Sequence, residues 1–77
     1  MTDRYDYDMD IVAMSKGQLA QMYAPDLTPH AAVNRLAKWI RLHPTLLEEL
    51  QRTGYRKTSR LFTPQQVHLI VERFGEP

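Results

Sequence analysis

Apolar side chains recur along the chain in two different periods, and the change of period marks out the elements. Residues 5 to 11 alternate strictly, with Tyr5, Tyr7, Met9 and Ile11 set against Asp6, Asp8 and Asp10, which predicts a strand with one apolar face. From Ser15 onward the period is helical. Ser15 with Gln18 three residues later is a capping-box signature, Leu19, Met22 and Tyr23 follow at helical spacing, and Pro25 stops the run, so a first helix is predicted over 16–24. Thr28 before Pro29 is an N-cap followed by the one helical position where proline loses nothing. Ala32, Val33, Leu36, Trp39 and Ile40 then supply the stripe of a second helix over 29–42. Pro44 ends it, Thr45 with Glu48 predicts another box ahead of Leu46, Leu47 and Leu50, and Gly54 is placed to close a short third helix. Residues 55–62 are too polar in the middle for a helix and predict a small hairpin with Lys57, Thr58 and Ser59 near its tip. Thr63, Pro64 and Gln66 repeat the cap, first-turn proline and box, and Val67, Ile70, Val71 and Phe74 form a fourth helical face ahead of Gly75.

The expected fold class is mainly α, of α+β type. It is a four-helix domain over 15–77 with a β-hairpin at 55–62, preceded by an acidic segment, 1–14, that carries a candidate strand. Two helices, a third helix, a basic hairpin and a further helix is the element order of winged helix-turn-helix and excisionase-like DNA-binding modules, a likeness that is an analogy of order only.

Composition narrows the class. Seventy-seven residues support one core and exclude two-domain architectures, and a domain this small is marginally stable unless its helices are well capped or a second copy covers apolar surface. Homodimerisation is therefore an open expectation. With no cysteine there are no disulfides, thiolate metal sites or cysteine nucleophiles, which fits a reducing cytoplasm. No apolar run approaches the roughly 20 residues a helix needs to cross a bilayer, and the start, MTDRYDYDMD, is acidic where a signal peptide is basic and then apolar. A cytoplasmic protein without membrane association is expected.

The net charge of +1 hides an asymmetry: residues 1–14 sum to −3 and residues 15–77 to +4. Within 35–60, Arg35, Lys38, Arg41, Arg52, Arg56, Lys57 and Arg60 face only Glu48 and Glu49, which points to an anionic partner. On the second helix His30, Asn34, Lys38 and Arg41 fall within about 80 degrees of one another, opposite Val33, Leu36 and Ile40. Asn can bond an adenine edge bidentately, and Lys and Arg can contact guanine or phosphate, so this face, with Arg35 beside it, has the groups that groove reading needs. Arg56, Lys57, Ser59 and Arg60 could then hold the DNA backbone. The competing reading of the same face is an ordinary solvated helix surface. Two features oppose DNA: Pro25-Asp26-Leu27-Thr28 is longer than the tight turn of the motif, and Asp26, Glu48 and Glu49 repel phosphate unless they face away.

SKGQLAQMY (Ser15 to Tyr23), Pro25, the Trp39-Ile40 pair, Gly54-Tyr55, FTPQQV (Phe62 to Val67), Ile70 and the Gly75-Glu76-Pro77 end together resemble a short domain-of-unknown-function family abundant in gut anaerobes of the Bacteroides type. The resemblance covers roughly 11–77. It implies a small cytoplasmic bacterial protein of about this length and supplies no catalytic residues, since the family has no established biochemical activity. The Tyr-Asp alternation at the start has no counterpart in it.

Other constellations fail on geometry. Asp6, Asp8 and Asp10 imitate the opening of a calcium loop, but Ile11 stands where the turn glycine belongs and Gly17 where the bidentate glutamate belongs. His30, His43 and His68 have no metal-ligand spacing, the three glycines are isolated, and Glu48 and Glu49 point about 100 degrees apart. No enzyme, cofactor or small-molecule substrate is expected. Trp39 and Tyr55, beside Arg41 and Arg56, could stack on single-stranded bases, although Trp39 at the edge of the stripe is better placed for core packing. The alternative function is a protein-interaction or homodimerisation module acting through the Tyr5 to Ile11 strand by edge pairing. A further reading, against which the apolar alternation argues, has residues 1–10 folding back to compete with phosphate for Arg35, Lys38 and Arg41.

Overall fold

A computed structural model of the chain describes residues 9–77. Its elements are β1 (Met14–Ser15), α1 (Lys16–Tyr23), α2 (Pro29–Arg41), α3 (Pro44–Arg52), β2 (Leu61–Phe62) and α4 (Pro64–Phe74). The protein is thus mainly helical, with four helices and a two-stranded antiparallel sheet among the described residues.

Helix starts follow the local chemistry closely. The Ser15 hydroxyl accepts from Gln18 N and the Gln18 side chain accepts from Ser15 N, completing the box that begins α1. Thr28 caps α2 by accepting from Ala31 N, with Pro29 in the first turn. Thr63 and Gln66 form the second complete box, at α4. Gln66 is itself buried, and its amide also donates to Thr53 Oγ1 at 2.8 Å, tying the start of α4 to the end of α3. Gly54 and Gly75 sit past α3 and α4 at φ 95° and 90°, a backbone region that a Cβ disfavours.

Three expectations are corrected. The box at Thr45 and Glu48 does not form, because α3 begins two residues earlier: His43 is the N-cap, without a side-chain cap bond, and Pro44 occupies the first turn. Residues 55–62 are not a self-paired hairpin. Only Leu61 and Phe62 are strand, and their partner is β1, in the register Met14 with Phe62 and Ser15 with Leu61. The physical reason is Lys16, whose backbone N–H and ammonium take the carbonyls of Arg60, Arg56 and Lys57. Finally, Met9, Asp10 and Ile11 are not in a strand, while Tyr5 to Asp8 of that expectation lie outside the described residues. Met9 N instead donates to Glu76 Oε2 at 2.9 Å, and Met9 and Ile11 pack against the core.

One core joins all the helices. Leu19 and Ala20 of α1, Ala32, Leu36 and Ile40 of α2, Leu46 and Leu50 of α3, Phe62 of β2, and Val67, Ile70 and Val71 of α4 are buried together. Met22, expected in the stripe of α1, is instead 42% exposed, and Ala20 takes the inward position. Trp39 packs edge-on against Tyr23 and Phe74 at centroid separations of 6.0 and 5.5 Å, as its place at the edge of the apolar stripe implies. The Tyr23 hydroxyl closes this cluster by donating to Gly75 O.

Candidate nucleic-acid interface

The outward face of α2 follows from its inward one. With Ala32, Leu36 and Ile40 buried, His30, Asn34, Arg35, Lys38 and Arg41 are left exposed. Asn34 Nδ2 lies 3.3 Å from His30 Nε2, an i, i+4 pair along the outward face of the helix. The amide that would read a base edge is therefore held along the helix.

The segment after α3 is a compact turn. Ser59 N donates to Arg56 O, and Ser59 Oγ accepts from Arg56 N at 3.2 Å. Ser59 is half-buried and shapes the turn, while Arg56, Lys57 and Arg60 around it are exposed. Tyr55 leaves α3 and stacks on Phe62, with centroids 5.9 Å apart and planes 16° from parallel. Among the described residues, Arg35, Lys38, Arg41, Arg56, Lys57 and Arg60 form no ion pair. The carboxylates expected to oppose DNA are otherwise engaged: Glu48 pairs with Arg52 at 3.6 Å and Glu49 with Arg73 at 3.4 Å. Asp26 is exposed in the α1–α2 connection, which Gln21 braces by donating to Leu27 O.

Arg41 and Lys57 meet at one place. A cleft of about 220 Å³ is lined by Ala37, Ile40 and Arg41 of α2, Leu47 and Gln51 of α3, and Tyr55 and Lys57 after it. Its floor is apolar and its two charges are both positive. Arg35 and Lys38 lie outside this lining.

A family model for a domain of unknown function, DUF4248, matches residues 11–77. The chain belongs to the DUF4248 family. No curated protein and no solved structure matches it.

In this DUF4248 chain the residue that assembles the basic surface is one the sequence pattern passes over. Lys16 Nζ donates to Arg56 O at 3.1 Å and to Lys57 O at 2.9 Å, and lies 4.8 Å from the centroid of the Tyr55 ring. It fixes the cationic turn against the start of α1. Partial burial lowers the Lys16 pKa from its ordinary value, and burial raises that of the Tyr55 hydroxyl beside it. One signal was available in the sequence: a lysine in the first turn opposes the helix dipole, so its charge is expected to be used elsewhere. The described residues contain no group of three or more side chains able to hold a metal, and no helix long and apolar enough to cross a membrane.

Proposed function

We propose that this chain is a small non-enzymatic DNA-binding protein of winged helix-turn-helix type. In this reading α2 enters the major groove, and the turn at Arg56 to Arg60 acts as the wing that holds the backbone. What supports it is the set of six cations on α2 and the turn that have no carboxylate partner among the described residues, two of them lining one cleft. Cations without internal partners are free to displace counterions from phosphate, the main source of affinity for DNA. Asn34, Lys38 and Arg41 on one helical face supply the base-edge donors.

Titration of labelled duplex DNA at rising salt is the test. Affinity should fall linearly on a log–log plot, with a slope of about −0.9 for each phosphate neutralised. Arg56→Glu with Arg60→Glu should weaken all sequences alike, while Asn34→Ala should change the preference among them. No binding at low salt would remove the reading.

Homodimerisation is the alternative. Its support is Val12 and Leu61, 49% and 62% exposed beside the two-stranded sheet. The apolar side chains of Met9 and Ile11 pack on the chain's own core. Sedimentation across a range of concentrations discriminates between the two readings.

A further inference from the structure

We propose that the cleft between α2, α3 and the following turn docks an acidic segment of a partner protein, which inserts one large apolar side chain flanked by carboxylates. The lining changes character with exposure. Ile40 is buried, Ala37, Leu47 and Tyr55 are half-buried, and Arg41 and Lys57 are exposed. An apolar group entering the cleft therefore meets apolar surface, and charge around it meets the two cations. No carboxylate lines the cleft. Among the described residues Arg41 and Lys57 have no ion-pair partner, and the two acids of α3, Glu48 and Glu49, are held by Arg52 and Arg73. Charge complementarity thus calls for an anionic occupant, and the planar fork of Arg41 suits a carboxylate gripped by two parallel bonds.

Size and chemistry choose among anions. A bare phosphate would leave the apolar floor to water, so the charge has to arrive with an apolar group attached. The cleft, about 220 Å³, is smaller than the roughly 300–1,000 Å³ in which small ligands bury most of their surface. It suits a single side chain whose flanking residues add contacts outside the cleft, in the manner of an anchor at a protein interface. The frame is also built in advance. Tyr55 is stacked on Phe62, and Lys16 Nζ holds the carbonyls of Arg56 and Lys57, so the aromatic wall and the backbone that carries Lys57 are fixed before anything binds. Only long side chains at the rim remain to be ordered, which keeps the entropic cost of docking small. The docking stands without the DNA-binding reading, whose further cations Arg35 and Lys38 lie outside the lining. Where both hold, the acidic segment and a phosphate compete for Arg41 and Lys57.

The test titrates the isotope-labelled full-length chain with a blocked pentapeptide that has a phenylalanine between two pairs of aspartates. The amide signals of Ala37, Leu47, Gln51 and Lys57 should move together with one midpoint, while those of Gln65 and Leu69 on α4 stay in place. The same peptide with alanine at its centre, equal in charge, should need about tenfold more for the same effect, since it lacks the buried apolar side chain. Arg41→Glu with Lys57→Glu should abolish the shifts, and so should Ala37→Leu, which fills the floor and leaves every charge in place. At physiological salt, where the screening length is about 8 Å, Arg35→Glu with Lys38→Glu should leave the peptide midpoint within about twofold. The same variant should weaken duplex DNA binding, so the failure of one reading is told from the failure of the other. Equal binding of the alanine-centred peptide would overturn the docking, because charge alone would then suffice. Phenylacetate acting at the same concentration as the peptide would overturn it by making the occupant a small carboxylate, and tighter binding of an oligothymidine of equal charge would do so by making it nucleic acid. Shifts at the four positions that follow protein concentration without peptide would make the occupant a second copy. No shift at any of them with millimolar peptide would overturn it outright.

Discussion

A lysine at the head of a helix meets the positive end of the macrodipole, and Lys16 is held there by what its ammonium reaches. Two carbonyls and the face of Tyr55 replace part of the water it gives up, yet burial still lowers its pKa below 10.5. The unfolded chain then binds the Lys16 proton more tightly than the folded one, so this group makes stability rise with pH between its lowered value and 10.5. Tyr55 works in the opposite sense. Its folded pKa is raised above 10.0, so its contribution is fully present below 10.0 and is lost as pH climbs through the raised folded value. Tyr55→Phe keeps the stacking on Phe62 and removes only the titrating hydroxyl. The drop in urea midpoint between neutral pH and about pH 11 should therefore be smaller in Tyr55→Phe than in the parent chain. An equal drop in both would mean that the Tyr55 hydroxyl is not desolvated.

At the scale of elements, capping separates what a local pattern can specify from what it cannot. Thr63 and Thr45 look alike in sequence, each a threonine three residues before Gln or Glu, but only Thr63 caps a helix. Thr63→Ala should cost about 1 kcal/mol, lowering the Tm by about 4–8 °C. Thr45→Ala, inside α3 and exposed, should change stability by less than about 0.5 kcal/mol. Thermal melts of the two variants decide the matter. Ser15, Thr28 and Thr63 were legible as helix starts because each cap is closed within three residues. The local pattern misplaces the start of α3 because Pro44, a stop for α2, is also the first-turn residue of α3. The β1–β2 pair was illegible for a different reason: it joins residues 14–15 to 61–62, and although a lysine in a first turn signals that its charge is used elsewhere, nothing in the sequence says which carbonyls Lys16 reaches. The same divide runs through the candidate interface. The exposed cations of α2 could be read from helical periodicity, whereas the role of Ser59 in closing the turn and the convergence of Arg41 and Lys57 needed the tertiary path.

Across the whole molecule, the DUF4248 match at residues 11–77 coincides with the part that builds the single core, and residues 1–10 carry four of the nine acidic side chains and a net charge of −3. Deleting residues 1–10 tests both consequences together. The deletion removes the Met9 contact with Glu76 and the packing of Met9, but leaves Ile11, β1 and every buried side chain of the core in place. A loss of about 1 kcal/mol is expected, with a Tm lower by about 4–8 °C and the chain still folded. The truncated chain should sediment as the same species as the full one; dissociation would instead show that residues 1–10 hold two copies together. Its net charge rises from +1 to +4, so a DNA-binding protein freed of a competing acidic segment should bind duplex more tightly at low salt. Near 1 M salt, where charges beyond about 3 Å are screened, that gain should vanish. A gain that persists there would come from something other than charge, such as apolar surface uncovered where Met9 packs on the core. Salt dependence thus separates relief of electrostatic competition from the uncovering of apolar surface.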